Sequence, residues 1–293
     1  MVGPADSSKL GTPIGMKKLI QKMFRRLGFE LHQRAGGISS ASGSERTSLE
    51  GSLEQVREAG FMPATIIDVG AAFGSFSRTC HAVYPQAQYL LIEPLEEYIP
   101  SLTKLVSDIP GASFEICVAA KEDKPVILNV HHDLVGSSLY REVEEGTGVN
   151  GVRRKVRALT LDRLVIERKA LPPYFIKIDV QGAELDVLAG GKTTLSQAEF
   201  VLLEVSLFQF FQDGPLLFDV VAYMKSKGFV PYDILGLQYR PLDRALSQVD
   251  IAFVKETGLL RQFHHYASPE QRHEQNRRFR AQFTKLLSTE RIQ

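Results

Sequence analysis

Two short apolar runs of the chain end in residues that could hold a ligand. The first, Ile66–Val69, leads into Gly70 and Gly74, and the next ends in Glu93, 23 residues after Gly70. Glycines let the backbone come close to a ligand, and the start of a helix behind them offers unpaired N–H groups. An acid at the end of the following strand can accept both hydroxyl hydrogens of a ribose. The spacing therefore predicts a nucleoside site.

Two classes of nucleoside ligand compete for this pattern, a dinucleotide and S-adenosylmethionine. The dinucleotide fingerprint G-x-G-x-x-G requires a glycine where the backbone approaches the pyrophosphate, but this chain has Ala72 there. The G-x-x-x-G spacing of Gly70 and Gly74, with Asp68 just before it, suits a ligand without phosphates better. The sequence therefore favours S-adenosylmethionine over the dinucleotide of an oxidoreductase.

The chain resembles the FkbM family of S-adenosylmethionine-dependent methyltransferases over about residues 60–235. The similar stretches, in the family's order, are IIDVGAAFGSFS (66–77), LIEP (91–94), VAAKED (118–123), TLDRL (160–164), IKIDVQGAELDVLAG (176–190) and VLLEVS (201–206). The resemblance implies a class I Rossmann-like fold and methyl transfer, commonly to a hydroxyl of a sugar or another natural product. One departure is Gln181, where the family more often has an acid.

The resemblance also implies which residues hold the cofactor. The glycine turn would line its methionine end, Glu93 would bind the ribose, and residues 118–120 would border the adenine. The complete set of expected cofactor residues is Asp68, Gly70, Ala72, Gly74, Phe76, Glu93, Pro94, Ala119 and Asp179.

Three residues are candidates for the chemistry, which requires alignment of the acceptor and removal of its proton. Asp179 ends an apolar run and could act as the base or orient the acceptor; a helix cap or a contact with the cofactor amine is the alternative. Glu184 follows in the first helical turn, where the helix dipole alone favours an acid. His132 could serve as a base at neutral pH, or it could simply be exposed to solvent.

Three further polar residues are candidates for acceptor binding. Ser137 and Ser138 form a loop that could bind hydroxyl groups, with an ordinary turn as the alternative. Glu204 interrupts an apolar run, and an unpartnered buried carboxylate is costly, so we expect it to face the cleft. Asp179, Glu184 and Glu204 could together bind a divalent cation, but no pair of acids has tight metal spacing, and we assign no metal ligand.

Strand and helix patterns alternate between about residues 52 and 255, which predicts a mostly parallel sheet covered on both faces. Ligands bind at the carboxyl ends of strands in such sheets. Phe229–Ile234 and Ile251–Val254 are expected to close the sheet as a C-terminal antiparallel hairpin. The other predicted strands of the sheet are Thr65–Val69, Tyr89–Ile92, Phe114–Ala119, Phe175–Val180 and Phe200–Val205. The predicted fold class is therefore α/β, in the class I methyltransferase arrangement.

The chain is expected to have three parts. Residues 1–50 contain a disordered start, a basic amphipathic helix and a Gly/Ser-rich linker, residues 51–255 form the methyltransferase domain, and residues 256–293 form a basic helical tail. The formal net charge of +1 combines +5 over residues 1–34, +4 over residues 255–293 and −8 between them. A basic amphipathic helix can lie on an anionic membrane or dock its apolar side on the protein body, and both remain open.

The composition is typical of soluble globular proteins, with 44% hydrophobic and 24% charged residues. The chain shows no transmembrane run and no signal peptide, and Cys80 and Cys117 lack zinc-ligand spacing. We therefore expect a cytoplasmic protein, with peripheral membrane contact through the N-terminal helix as an open alternative. Nucleic acid is not expected as the acceptor because the central body is acidic.

The predicted function is O-methylation of a hydroxyl on a saccharide or another small natural-product acceptor, either free or lipid-linked. The alternative is a membrane-associated adaptor that keeps the methyltransferase fold without catalysis. Affinity for S-adenosylmethionine would distinguish the two functions. The sequence does not indicate an oligomeric state.

Overall fold

The structure is a computed structural model that describes residues 44–290. The basic amphipathic helix predicted near the N-terminus lies outside the described residues. The helices are α1 (Leu49–Glu58), α2 (Ser75–Val83), α3 (Ile99–Asp108), α4 (Thr147–Asn150), α5 (Leu161–Glu167), α6 (Glu184–Ala189), α7 (Lys192–Ser196), α8 (Leu217–Ser226) and α9 (Pro269–Glu290). The strands are β1 (Thr65–Val69), β2 (Gln88–Glu93), β3 (Ala112–Ile116), β4 (Val118–Ala119), β5 (Val126–Val130), β6 (Val152–Val156), β7 (Ala158–Leu159), β8 (Tyr174–Ile178), β9 (Ala198–Ser206), β10 (Phe229–Tyr239) and β11 (Leu246–Lys255).

Seven strands form one sheet in the order β10-β11-β9-β8-β1-β2-β3. Strands β9, β8, β1, β2 and β3 are parallel, whereas β11 is antiparallel to both of its neighbours. This arrangement confirms the predicted α/β fold, with its mostly parallel sheet and its C-terminal antiparallel hairpin. Strand order reverses between β1 and β8, which places a crevice at the carboxyl ends of these two strands.

Helices cover both faces of the sheet, so its central strands are buried on both sides. All five residues of β1 are buried, and neighbouring side chains point to opposite faces. Ile66 packs in a core with residues of α1, α2 and α3, while Ile67 packs in a second core with residues of α5 to α8. Continuous apolar runs are typical of parallel strands enclosed in this way.

The predicted strand Phe114–Ala119 is wrong as a single element. β3 ends at Ile116, and β4 leaves the sheet to pair with β7. The chain between β4 and β7 includes β5 and β6, which form an antiparallel pair. This excursion from the sheet lies beside the carboxyl ends of the central strands and contributes to the site described below. Within residues 44–290, no helix is long and apolar enough to span a bilayer.

Candidate functional site

The loops that follow β1 and β8 meet at the crevice in the sheet. Gly70 begins the first loop, and Asp179 begins the second. Gly70 has φ of +76°, and a Cβ atom placed on it would lie 1.9 Å from the carbonyl oxygen of Asp179. Because a positive φ and so close an approach are both available to glycine, the sequence allows the two loops to touch here.

An open cavity of about 680 Å³, including the space at its mouth, occupies this crevice. Its walls come from the loops after β1, β2 and β8 and from the excursion that contains β5. The cavity is lined by six of the residues predicted to bind the cofactor, which are Gly70, Ala72, Glu93, Pro94, Ala119 and Asp179.

Glu93 shapes the glycine loop as well as facing the cavity. Its Oε2 accepts a hydrogen bond from the Ala72 N–H at 2.9 Å, and its Oε1 accepts one from the Leu95 N–H at 2.9 Å. The bond to Ala72 holds that residue at a φ of +46°. Burial raises the pKa of the Glu93 carboxyl to about 7, although both backbone donors oppose the shift. The remaining lone pairs of this carboxyl can accept ribose hydroxyl hydrogens.

The opposite part of the cavity is apolar and suits a flat ring. Val118 and Ala119 of β4 line it together with Leu128 and Leu134 of the excursion. Tyr98 also lines the cavity, and its buried hydroxyl has no hydrogen-bond partner among residues 44–290. Because a buried hydroxyl is normally satisfied, a ligand in the cavity could supply the partner. An apolar end for a base and a carboxylate for a ribose fit the adenosine of S-adenosylmethionine.

Asp68 does not reach this cavity, contrary to expectation. Its carboxyl is fully buried, and its Oδ2 accepts a hydrogen bond from the Ser77 hydroxyl at 2.7 Å. The other oxygen lies 3.5 Å from the Lys177 ammonium. Burial raises the pKa of Asp68, although Lys177 opposes the shift. The side chain points towards α2 beneath the glycine loop, so its role is to support that loop.

Gly74 and Phe76 also lie outside the cofactor cavity. A Cβ atom on Gly74 would lie 2.2 Å from a methyl carbon of Leu105, so this glycine permits close packing of α3. The Phe76 ring packs edge-on against Phe175, with the ring centres 5.6 Å apart. Phe76 instead lines a neighbouring groove.

This groove, of about 1010 Å³, adjoins the cofactor cavity, and we call it the acceptor groove. Four residues line both spaces, which are Gly70, Ala72, Val135 and Asp179. Asp179 is the charged member of this set. Asp179 therefore lies where the cavity and the groove adjoin.

Lys177, which the sequence analysis did not single out, holds this carboxylate from one side. Its ammonium lies 3.3 Å from Asp179 Oδ2 and donates a hydrogen bond to the Gly70 carbonyl oxygen at 3.0 Å. Burial alone would lower the pKa of Lys177, but the carboxylates of Asp68 and Asp179 raise it above its ordinary value. A lysine inside the apolar run of β8 was the signal available in the sequence.

Glu204 lines the acceptor groove and is surrounded by amides. Its Oε2 accepts hydrogen bonds from Gln181 at 2.8 Å and Gln248 at 2.9 Å, and its Oε1 accepts one from Gln238 at 2.9 Å. Burial, followed by the charge of Asp179, raises the pKa of Glu204 to about 9. Glu204 therefore holds a proton to a higher pH than an exposed glutamate does.

Asp250 is a second carboxyl of the groove that sequence reasoning missed. It lies directly opposite Glu204 in the pairing of β11 with β9. Burial, followed by the charge of Asp179, raises the pKa of Asp250 to about 6. No hydrogen bond from another residue of the described part ends on this carboxylate. Asp250 therefore offers the groove an ionised, unoccupied hydrogen-bond acceptor at neutral pH.

The structure does not bring Glu184 or His132 to either space. Glu184 is buried, and its Oε1 accepts hydrogen bonds from the N–H groups of Gly182 at 3.0 Å and Val180 at 3.3 Å. Burial raises the pKa of Glu184 to about 7, but its carboxylate serves to hold the loop after β8. His132 is exposed in a turn after the end of β5.

The two serines predicted to bind the acceptor have different positions. Ser137 lines the cofactor cavity, and its hydroxyl oxygen accepts a hydrogen bond from the His131 N–H at 3.0 Å. Ser138 is buried and donates a hydrogen bond to the Gln181 carbonyl oxygen at 2.6 Å. Ser138 therefore positions the loop after β8.

The three acids considered for a divalent cation do not form a metal site. In the part of the chain that the structure describes, no group of three His, Cys, Asp or Glu residues has the geometry to hold a metal ion. Glu184 points into its own loop, and Glu204 is enclosed by glutamine amides.

Residues 68–231, more than half of the chain, match the family model described as the methyltransferase FkbM domain. The chain belongs to the FkbM methyltransferase family. Its fold is the class I fold of S-adenosylmethionine-dependent methyltransferases. No curated protein matches this FkbM family member.

Several solved structures are similar to this FkbM family member at low identity. Methyltransferase FkbM from Methylobacillus flagellatus is 18% identical, with a TM-score of 0.41, and the match covers 64% of this chain and 43% of that one. The chain thus spans less than half of that relative. The 1,6-didemethyltoxoflavin-N1-methyltransferase of Burkholderia thailandensis, solved with bound 1,6-didemethyltoxoflavin and S-adenosylhomocysteine, is 11% identical, with 86% and 93% coverage and a TM-score of 0.40. Magnesium protoporphyrin IX methyltransferase from Synechocystis, solved with S-adenosylmethionine, is 13% identical, with 85% and 100% coverage and a TM-score of 0.39.

Proposed function

We propose that this FkbM family member binds S-adenosylmethionine in the cofactor cavity and O-methylates a hydroxyl of a saccharide or another small natural product. The observation that carries the proposal is the shared wall between the cavity and the acceptor groove, where Asp179 faces both spaces. A methyltransferase needs such a connection, because donor and acceptor must meet in line.

Some residues of the chain would bind the cofactor, and others would orient the acceptor and remove its hydroxyl proton. Glu93 would hold the ribose, and the glycine loop would cradle the methionine end. When bound, the cofactor would supply an electrophilic methyl group to the acceptor oxygen, its sulfonium becoming a neutral thioether while the acceptor hydroxyl gives up its proton. Asp179 would orient the acceptor hydroxyl, and Asp250 would receive the proton because its carboxylate is ionised and unoccupied at neutral pH.

The charge of the groove supports a neutral acceptor. The ionisable side chains that line it are Lys177, Asp179, Glu204 and Asp250. Lys177 is already paired with Asp179 and with Asp68 beneath the loop. Acidic groups without a free cation repel phosphates, whereas nucleic-acid sites are rich in Lys and Arg. A sugar hydroxyl, which donates a hydrogen bond, suits these acceptors better than RNA or a sugar phosphate.

The test uses S-adenosylmethionine with a tritiated methyl group and a panel of neutral glycosides, polyhydroxylated natural products, sugar phosphates and transfer RNA. We expect label in a neutral acceptor, as an O-methyl ether identified by mass spectrometry, and no label with Asp250→Asn. Label in RNA or on nitrogen would contradict the proposal. No binding of S-adenosylmethionine would instead favour the non-catalytic adaptor.

A further inference from the structure

The side chain of Gln181 connects the two carboxyls that lie between the cavity and the groove. Its Nε2 donates one hydrogen bond to Asp179 Oδ1 at 3.0 Å and another to Glu204 Oε2 at 2.8 Å. An amide nitrogen carries two hydrogens, so both are used. Asp179 is therefore held at one oxygen by Gln181 and at the other by Lys177.

The backbone of Gln181 is held independently of this side chain. Ser138 donates a hydrogen bond to its carbonyl oxygen, and Glu184 accepts hydrogen bonds from the N–H groups of Val180 and Gly182 on either side. These contacts fix Gln181 at a φ of +57°, an uncommon conformation for a residue with a side chain. The loop can therefore keep its course when the amide is removed.

We infer that Gln181 is a positioning residue whose amide holds the Asp179 carboxylate at the wall of the cofactor cavity, where it favours a positively charged sulfonium over a neutral thioether. This inference rests on the proposed function. A carboxylate fixed in advance beside a positive charge stabilises it without having to reorganise. The sulfonium of S-adenosylmethionine carries that charge, and the thioether of S-adenosylhomocysteine does not.

An amide at this position acts differently from a carboxyl. Carboxyls placed side by side raise one another's pKa, and one of them takes up a proton. A glutamate at position 181 would lie between Asp179 and Glu204. It would favour protonation of one of the three carboxyls beside the cofactor cavity. The glutamine donates to both neighbours without adding charge.

The test compares two methionine variants of similar length that lack the amide. Gln181→Met removes the hydrogen bond to Asp179, whereas the control Gln248→Met removes one to Glu204 and leaves Asp179 held. Isothermal titration gives the Kd of each protein for S-adenosylmethionine and for S-adenosylhomocysteine. We expect Gln181→Met to weaken binding of the charged ligand relative to the neutral one by about fivefold, and Gln248→Met to leave the ratio unchanged.

A double-mutant cycle that combines Gln181→Met with Asp179→Asn separates the positioning of the Asp179 carboxylate from a general effect on the loop after β8. In that background, Gln181→Met should no longer change the ratio of the two Kd values. An unchanged ratio in Gln181→Met alone would overturn the inference, whereas failure of the wild-type protein to bind either ligand would overturn the proposed function. If Gln181→Met does not fold, Gln181→Asn serves instead, because its shorter amide cannot span both carboxyls and asparagine tolerates a positive φ.

Discussion

Glu204 and Asp250 lie directly opposite each other on the paired strands β9 and β11. Like charges at such positions destabilise a sheet, and here both carboxyls are also largely buried. The conflict is reduced because burial raises the pKa of Glu204, so that this carboxyl holds a proton to a higher pH than usual. Asp250, whose pKa is raised to about 6, carries the charge. This pair of carboxyls supplies hydrogen-bonding groups to the lining of the acceptor groove.

The same pair predicts how stability depends on pH. The pKa of Asp250 is higher in the folded protein than its ordinary value of 3.8, so its contribution to stability is complete below about pH 4 and is lost as the pH rises through about 6. The free energy of unfolding of the wild-type protein should therefore fall between pH 4 and pH 7. In Asp250→Asn this fall should be smaller by up to about 3 kcal/mol. The variant also removes a charge that raises the pKa of Glu204. The resulting lower pKa of Glu204 further reduces the fall in stability with rising pH. Urea denaturation at several pH values measures this slope, and equal slopes in both proteins would contradict the prediction.

The close contact between Gly70 and Asp179 predicts that adding one methyl group at position 70 lowers both stability and cofactor binding. In Gly70→Ala the new Cβ would meet the Asp179 carbonyl oxygen in a backbone conformation with positive φ. We expect a loss of about 1–3 kcal/mol of stability and a weakening of S-adenosylhomocysteine binding by at least about tenfold. The control is Gly148→Ala, since a Cβ atom there has no neighbour within 4 Å. Similar binding by both variants would show that the two loops do not form the site.

Lys177 predicts a large change in stability because two carboxylates depend on it. The Lys177 side chain is 12% exposed, and Lys177→Met would leave Asp68 and Asp179 without their cation. Removing one partner of a buried ion pair costs about 3–5 kcal/mol, and the additional change Asp68→Asn should restore part of this loss. Thermal and urea unfolding measure the effect.

Lys255 provides the matched control for that prediction. It lies on β11, and its ammonium is 2.8 Å from a Glu199 carboxylate oxygen, with both side chains 30% exposed. Exposed pairs contribute about 0–1 kcal/mol, so Lys255→Met should have little effect. Equal losses in Lys177→Met and Lys255→Met would contradict the buried role assigned to Lys177.

The sequence predicted the parts of the site that lie close together in the chain. The run before Gly70 and the acid at the end of β2 form a local pattern, and parallel strands bring Glu93 and Asp179 to the same edge of the sheet. Asp68 does not line the cavity because a residue beside the glycine turn need not point into it; its side chain lies under the loop, against Ser77.

The acceptor groove was less predictable because its polar residues come from strands far apart in sequence. Gln181, Gln238 and Gln248 meet at Glu204 only when β9 lies between β8 and β11. Nothing in the local sequence around a glutamine indicates such a partner. The sequence offered only a weak indication that Asp250 belongs to a site, because it is a single acid within the apolar run of β11.

Binding of S-adenosylhomocysteine tests the central claim most directly, because it needs no knowledge of the acceptor. Isothermal titration compares the wild-type protein with Glu93→Gln and with the control Glu96→Gln, an exposed acid on the same loop. The change at Glu93 replaces one carboxylate oxygen that holds a backbone N–H and can accept from the ribose.

We predict saturable binding by the wild-type protein and by Glu96→Gln, and binding at least about tenfold weaker by Glu93→Gln, since a hydrogen bond to a charged group contributes about 1.5–3 kcal/mol. Absence of binding by the wild-type protein, or equal affinity in all three proteins, would contradict the assignment of this cavity to S-adenosylmethionine.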